Sequence, residues 1–262
     1  MNLNLQSYTA LVCGSTQGIG RAAAQELALM GAKVVLMARN EASLKEVCAA
    51  LPSPSNQQHT YLAADFSNPE QVASVVNTFV AQGNPIHILV NNTGGPPGGP
   101  ITDASTAAFS SAFSQHLLCN HILAQAVIPG MKAAKYGRII NVISTSVKQP
   151  LKGLGVSNTI RAAVANWSKT MSLELAPFAI TVNNVLPGAT ATQRLATIIE
   201  TKSQKTNHEV SEVEKEMIAE IPAGRFAQPE EIAAAIAFLA SPAAAYINGI
   251  NVPVDGGRTG CL

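Results

Sequence analysis

A glycine-rich turn near the amino end is the feature that most constrains the fold of this chain. It reads CGSTQGIG over residues 13–20, after the apolar residues 8–12 and before an alanine-rich helical pattern over residues 21–30. Glycines let the backbone turn tightly and approach a ligand, and the helix that follows directs unpaired N–H groups and its positive dipole end at that ligand. This strand, turn and helix predict a binding site for the pyrophosphate of a dinucleotide. The residues assigned to it are Gly14, Ser15, Thr16, Gln17, Gly18, Ile19 and Gly20.

Short β-branched segments alternate with helical segments almost to the end of the chain. The predicted strands cover residues 9–13, 33–38, 59–63, 86–91, 138–143, 180–185 and 250–254. Helical patterns lie near residues 18–30, 41–50, 69–82, 106–134, 155–177, 207–220 and 229–240. This alternation predicts an α/β fold with a parallel sheet covered on both faces. With 262 residues and no linker, we expect a single domain over residues 1–262.

Composition argues against several classes of partner and compartment. Only 13% of the residues are charged and the formal net charge is +1, so we expect neither a nucleic-acid partner nor an anionic membrane. The four cysteines are scattered without a C-x-x-C spacing, so no metal site or disulfide is predicted and a reducing cytoplasm fits. No signal peptide and no apolar stretch of about 18 residues is recognised.

Two segments interrupt the alternation. Residues 94–100 read GGPPGGP, which predicts a rigid irregular loop at the carboxyl edge of the sheet. Residues 193–220 contain most of the charged residues in the C-terminal part of the chain, and we interpret them as a mobile, solvent-exposed segment.

Polar residues follow three further strands where an open α/β sheet binds its ligand. Asp65 follows the third strand, residues 91–94 (NNTG) the fourth, and residues 187–192 (PGATAT) the sixth. Together with the turn at residues 13–20, this pattern resembles the short-chain dehydrogenase/reductase family, and most closely its bacterial 3-oxoacyl-ACP reductase branch. The resemblance covers essentially the whole chain, including the closing PVDGG at residues 253–257.

The resemblance implies a Rossmann-type, doubly wound fold, with a seven-stranded parallel sheet in the order 3-2-1-4-5-6-7. It assigns the adenine contact to the third strand end, support of the sheet and cofactor to the fourth, and the nicotinamide contact to the segment after the sixth. Cys13 and Thr93 stand where the family has threonine and alanine. The cofactor residues implied are Asp65, Phe66, Asn91, Thr93, Gly94, Pro187, Gly188 and Thr192.

The choice of cofactor is predicted from the end of the second strand. NAD-specific folds place a carboxylate there against the ribose 2′-hydroxyl. In this chain residues 36–40 (LMARN) at the strand end contain no acid, and the first acid after them is Glu41. Arg39 could instead pair with a 2′-phosphate in a bidentate way. We therefore expect NADP(H) in preference to NAD(H), unless Arg39 is an ordinary solvated residue at the start of a helix.

The family's catalytic positions are only partly kept. The family uses a tyrosine, a lysine four residues later, a serine, and an asparagine on the preceding long helix. Ser144 matches the serine, whereas Ser157 and Arg161 occupy the tyrosine and lysine positions. His116 falls on the asparagine position, with Asn120 as the alternative one helical turn later. None of the four tyrosines lies after Ser144 in the required window or precedes a lysine by four residues.

These departures leave two functions open. An alkyl alcohol at position 157 is a much weaker acid than a phenol, and Arg161 stays protonated but could hold ribose hydroxyls or a substrate carboxylate. One hypothesis is an NADP(H)-dependent reductase of a carbonyl substrate, possibly 3-oxoacyl, or the corresponding alcohol dehydrogenase. In it His116, or water ordered by Ser144 and Ser157, supplies the proton. The other is a catalytically silent NADP(H)-binding sensor or partner protein.

The resemblance also implies an assembly and a lid. In the family the two long helices pair across a dimer interface and the last strand helps to complete a tetramer, so a homodimer or homotetramer is expected. Residues 193–220 correspond to the family's substrate lid.

Overall fold

The computed structural model describes residues 1–261, and its seven strands form one parallel sheet. The strand order is β3-β2-β1-β4-β5-β6-β7, which confirms the predicted topology. The strands are β1 (Thr9–Cys13), β2 (Lys33–Ala38), β3 (Thr60–Ala63), β4 (Ile88–Asn91), β5 (Gly137–Val142), β6 (Ile180–Pro187) and β7 (Asn251–Val254). The central strands are mostly apolar and almost entirely buried, because helices cover both faces of the sheet.

The helices are α1 (Gly18–Leu29), α2 (Glu41–Ala50), α3 (Pro69–Ala81), α4 (Thr106–Phe113), α5 (Cys119–Ala134), α6 (Gly155–Leu175), α7 (Gln193–Thr206), α8 (Val210–Ala219) and α9 (Pro229–Ala240). Four of the helices (α2, α3, α4 and α7) begin after a residue whose side chain accepts a hydrogen bond from a free N–H group of the first turn. Asn40 accepts a hydrogen bond from the Ser43 N–H at 3.0 Å, and Asn68 accepts one from the Gln71 N–H at 3.1 Å.

The sheet separates two apolar layers. Helices α1, α2 and α9 cover one face, and α3, α5 and α6 cover the other. All carboxyl ends of the parallel strands therefore meet at one edge, where the glycine-rich turn and the loops after β3, β4, β5 and β6 come together. Within residues 1–261, no helix has the length and apolar character needed to cross a membrane.

Two helical predictions differ from the structure in their details. The pattern at residues 106–134 is not one helix, because a π-helical turn (Ser114–Leu118) separates α4 from α5. A π turn inserts an extra residue into the helical register and so changes which side chains face inward. Residues 193–220 contain α7 as well as α8, although only the second was predicted. The missed signal for α7 is Thr192, which accepts a hydrogen bond from the Leu195 N–H at 3.4 Å.

Four asparagines form a continuous row of side-chain hydrogen bonds across β4, β5, β6 and β7. The Asn91 amide donates to Asn141 at 2.8 Å, Asn141 donates to Asn184 at 2.9 Å, and Asn184 donates to Asn251 at 2.8 Å. Neighbouring members are paired in the sheet register, so their side chains lie on the same face. We call this row the asparagine ladder, and its four asparagines were not recognised as a set from the sequence.

Candidate active site

The glycine-rich turn requires glycine at the positions where its backbone bends or is closely approached. Gly14 and Gly18 have φ values of +59° and +53°, which other residues rarely adopt. A Cβ on Gly20 would overlap the Gly14 carbonyl oxygen and approach the Asn92 Nδ2 atom to 2.7 Å. The Asn92 amide in turn donates to the carbonyl oxygens of Cys13 and Gly14 at 3.2 and 3.3 Å. The turn is therefore a bare backbone cradle at the start of α1, which fits a pyrophosphate.

Within this turn the side chains divide into supporting and outward-facing ones. The Ser15 side chain is fully buried, and its hydroxyl accepts a hydrogen bond from the Met37 N–H at 3.0 Å. It fixes the turn against β2, whereas Gln17 is exposed and Thr16 is half-buried. Asn92 was not assigned a role from the sequence, although it lies inside the NNTG motif.

The end of β2 forms a cleft in which Arg39 is free of acidic partners. Asp65 lines the same cleft, but its carboxylate accepts the Ser67 N–H at 2.9 Å. That hydrogen bond, together with the charge of Arg39, lowers the pKa of Asp65. In the described chain, Arg39 forms no salt bridge within 4.0 Å. The cleft is lined by Arg39, Asn40, Ala63, Ala64, Asp65 and Gln71.

The loop after β6 comes close to the glycine-rich turn. A Cβ on Gly18 would lie 3.2 Å from the Thr192 methyl carbon, so the start of α7 faces the turn directly. Gly188 follows Pro187 at the strand end, and a Cβ there would approach the Asp255 Cα atom to 2.7 Å. The structure thus brings the predicted pyrophosphate and nicotinamide segments to one edge. Phe66 follows Asp65 in the loop after β3, and Gly94 lies exposed after β4.

Arg161 is a buried cation at the carboxyl ends of β4 and β5. Its guanidinium donates to the Val142 carbonyl oxygen at 3.0 Å and to the Thr93 carbonyl oxygen at 3.3 Å. Ser157 lies one helical turn earlier on α6 and is half-buried. Ser144 follows β5, and its hydroxyl oxygen accepts the Ser146 N–H at 3.1 Å, which leaves its proton available to a ligand.

His116 belongs to this same cluster. The π turn directs its imidazole inward, where it is only 1% exposed and its Nδ1 atom lies 2.6 Å from the Thr93 hydroxyl. Burial and the nearby charge of Arg161 lower the pKa of His116 to about 3. The imidazole is therefore neutral at physiological pH. Its Nε2 atom has no hydrogen-bond partner among the described residues.

The structure thus brings together positions at which the sequence analysis expects departures from the family's motifs. Thr93 contacts His116 through its hydroxyl and Arg161 through its carbonyl oxygen. Asn120, the alternative to His116, is also buried, but no hydrogen bond joins it to this cluster. Over residues 1–261, no three histidine, cysteine or acidic side chains are grouped so as to hold a metal ion.

Comparisons with known proteins agree with this architecture. The family model described as enoyl-(acyl carrier protein) reductase matches residues 14–259. The 3-oxoacyl-[acyl-carrier-protein] reductase FabG of Vibrio cholerae is 35% identical over 257 residues, covering 97% of this chain and 98% of the relative. The NADPH-dependent reductase BacG of Bacillus subtilis is 32% identical over 259 residues, covering 97% and 98%.

A solved structure gives the same result. The L-sorbose reductase of Gluconobacter frateurii, complexed with NADPH and L-sorbose, superimposes with a TM-score of 0.93 at 31% identity and 100% coverage of both chains. The sheet and its ligand-binding edge define a Rossmann-type oxidoreductase. This chain belongs to the short-chain dehydrogenase/reductase family and is similar to its FabG branch.

Proposed function

We propose that this protein is an NADP(H)-dependent reductase of a small carbonyl compound, working without the family's tyrosine and lysine pair. The observation that carries the proposal is the placement of Arg161. Two backbone carbonyls fix its guanidinium at the carboxyl ends of β4 and β5, in the loop region that also holds Ser144. A fixed cation at this edge can stabilise the negative charge that develops on a carbonyl oxygen.

The residues at the sheet edge fit the cofactor. The bare cradle of Gly14 and Gly20 would receive the pyrophosphate, and Arg39 would pair with the ribose 2′-phosphate. The preference for NADP(H) is supported by the engagement of the nearest acids elsewhere, since Glu41 pairs with Lys45 at 3.0 Å. When bound, the cofactor supplies the hydride. The names of the Bacillus relative and the sorbose reductase complex also include NADPH.

The side chains of this site orient the substrate, stabilise the alkoxide and supply the proton. The Ser144 hydroxyl donates a hydrogen bond to the substrate oxygen, and Arg161 stabilises the alkoxide that forms there as the C=O π bond breaks. Water held by Ser157 then gives its proton to that oxygen. We place His116 as a neutral positioning residue, because a pKa of about 3 leaves no imidazolium to act as the acid.

The remaining expectations belong to the same proposal. The V. cholerae relative is named a 3-oxoacyl-[acyl-carrier-protein] reductase, which makes 3-oxoacyl compounds one substrate class to test. We further propose a single domain acting as a homodimer or homotetramer in the cytoplasm, with α7 and α8 as a lid over the substrate.

The test measures NADPH oxidation against a broad carbonyl panel, beside NADPH binding by titration. We expect binding with at least one substrate turned over. NADPH binding without turnover of any carbonyl would contradict the proposal and support a silent cofactor-binding protein. Loss of binding to both nicotinamide cofactors would contradict the cofactor site itself.

A further inference from the structure

Arg161 carries a charge that the described residues do not neutralise. It is only 8% exposed, and no carboxylate of residues 1–261 lies within 4.0 Å of its guanidinium. Buried charges are normally paired, because removing an ion from water is costly. A guanidinium has five N–H donors, and the two backbone carbonyls leave some of those of Arg161 unused.

Arg138 shows how this fold satisfies a buried arginine that has a structural role. It is 3% exposed, and it donates to the carbonyl oxygens of Ser241, Gly137 and Ala179. Its guanidinium also lies over the ring of Tyr136, 4.2 Å from the centroid. Arg161 has neither the third carbonyl nor the aromatic ring, so its unused donors mark a place for a ligand.

A second arginine, Arg194, also lies close to this place. Arg194, on the first turn of α7, donates from Nη2 to the Pro96 carbonyl oxygen at 2.7 Å. A Cβ on Gly95 would lie 3.6 Å from Arg194 Nη2 and 3.8 Å from Arg161 Nη2. Two guanidinium groups therefore face one point in the loop of residues 94–100, and glycine leaves that point open.

Two cations beside one another repel unless an anion lies between them. Burial, and after it the charge of the exposed Arg194, lowers the pKa of Arg161 to about 10. His116, whose pKa the charge of Arg161 helps to lower, is neutral and supplies no negative charge. An anion at Gly95 would turn this repulsion into two favourable charge-assisted contacts.

We propose that Arg161 and Arg194 form an anion site at Gly95 that binds a carboxylate of the substrate, so that the protein reduces oxo acids in preference to neutral carbonyl compounds. This inference rests on the proposed reductase function. It also assigns α7 a role in substrate recognition, because Arg194 is the part of the site that the predicted lid contributes. The other anion that could reach Arg194 is the cofactor pyrophosphate, since Thr192 lies beside Gly18.

The test compares 2-, 3- and 4-oxo acids with their methyl esters as substrates of the NADPH-loaded protein. We expect kcat/KM at least 10-fold higher for an acid than for its ester. Arg194→Gln should reduce this ratio about 10-fold, and Gly95→Ala should do the same by filling the space between the guanidinium groups. The contacts of the added methyl group are ordinary van der Waals distances, so Gly95→Ala should fold normally.

Two control variants match these changes. Lys205→Gln removes an exposed cation from α7 away from Gly95, and Gly99→Ala adds a methyl group in the same loop where nothing lies within 4 Å. Both should keep the acid-to-ester ratio. Equal kcat/KM for acids and esters, or equal loss of the ratio in Lys205→Gln, would overturn the inference.

Binding measurements separate this inference from the proposed function. Succinate titrated into the cofactor-free protein at constant ionic strength should bind, and Arg194→Gln should weaken it about 10-fold. Succinate binding without any NADPH turnover would support the anion site while contradicting the reductase. If Arg194→Gln instead raises the Kd for NADPH and leaves the acid-to-ester ratio unchanged, Arg194 serves the pyrophosphate and the carboxylate site is wrong.

Discussion

The Thr93 hydroxyl lies 2.6 Å from the Nδ1 atom of His116, so the loop after β4 and the π turn between α4 and α5 are joined by one short hydrogen bond. Both residues lie at positions where the sequence analysis expects the family's motifs to have other amino acids. The carbonyl oxygen of the same threonine accepts a hydrogen bond from Arg161, a third such position. The departures are therefore neighbours in space, and they are expected to depend on one another.

This dependence predicts a coupling in stability between Thr93 and His116. Thr93→Ala should leave the buried Nδ1 atom without a partner and lower the free energy of unfolding by about 1–3 kcal/mol. His116→Asn should also destabilise, but the double variant should lose less than the sum of the two. Urea unfolding of all four proteins gives the coupling, expected at about 0.5–3 kcal/mol. Strict additivity would show that the contact contributes nothing.

The low pKa of His116 predicts a pH dependence of stability. The unfolded histidine takes up a proton near pH 6.5, whereas the folded one does so only near pH 3. Between these values the unfolded state binds more protons, so the free energy of unfolding falls as the pH is lowered. At about 1.4 kcal/mol per unit, lowering the pH from 7 to 5 should cost about 2 kcal/mol through this residue.

Comparing variants isolates that contribution from those of other titrating groups. In His116→Gln the loss of unfolding free energy between pH 7 and pH 5 should be smaller than in the unchanged protein. His208→Gln, at an exposed position where the ring lies 3.4 Å from Glu216, serves as the control for replacing a histidine, and it should change the dependence less than His116→Gln does. If His116→Gln keeps the full pH dependence, the imidazole is not held neutral by burial.

The two serines should differ in their effect on turnover. Ser144→Ala removes the donor to the substrate oxygen, and we expect kcat to fall about 100- to 1000-fold, as for the loss of an oxyanion donor. Ser157→Ala leaves space for another water, so kcat should fall less than 10-fold. The kcat values of the two variants are compared by steady-state kinetics on the same carbonyl substrate. A larger effect at Ser157 would place the substrate oxygen against α6 instead of the end of β5.

Arg39 should determine the choice between the two nicotinamide cofactors. Arg39→Glu replaces the partner of the 2′-phosphate with a carboxylate that repels it. The kcat/KM for NADPH should therefore fall about 10- to 100-fold, and the kcat/KM for NADH should rise. Arg39→Lys keeps the positive charge but loses the planar guanidinium group. Its NADPH-to-NADH ratio of kcat/KM should lie between those of the unchanged protein and Arg39→Glu. An unchanged NADPH-to-NADH ratio in Arg39→Glu would show that Arg39 is only a solvated residue.

Gly20 tests the cradle for the pyrophosphate. In Gly20→Ala the new methyl group would overlap the Gly14 carbonyl oxygen, so the turn must shift and the Kd for NADPH should rise at least 10-fold. Gly130→Ala, inside α5 with nothing within 4 Å, is the matched control. It should leave the Kd unchanged and raise the free energy of unfolding by about 0.5–1 kcal/mol, because alanine is the better helix former. Equal Kd values for the two variants would argue against the cradle.

The repetitive parts of this fold were predictable because their signals are local. Strand β2 was predicted from the apolar residues 34–38, and α2 begins and ends at the predicted residues 41 and 50. The π turn was not predictable, because the apolar spacing of residues 106–134 is compatible with one uninterrupted helix. Its extra residue shows only in three dimensions.

Parts of the candidate site likewise depend on contacts between distant segments. The glycine-rich turn, Arg39 and Ser144 could be proposed from motif and position alone. The approach of Arg194 to Arg161 could not, since one lies on α7 and the other on α6 and only Gly95 brings them to a common point. The supporting role of Asn92 was hidden because its partners are backbone carbonyls of a different strand end.

The asparagine ladder has a consequence for how this edge responds to change. Each inner amide both gives and receives a hydrogen bond, so all the dipoles point the same way across four strands. Replacing Asn141 would leave the amide donor of Asn91 and the amide acceptor of Asn184 without their partners. One continuous set of side-chain hydrogen bonds therefore connects β7 to Asn91, two residues before Thr93.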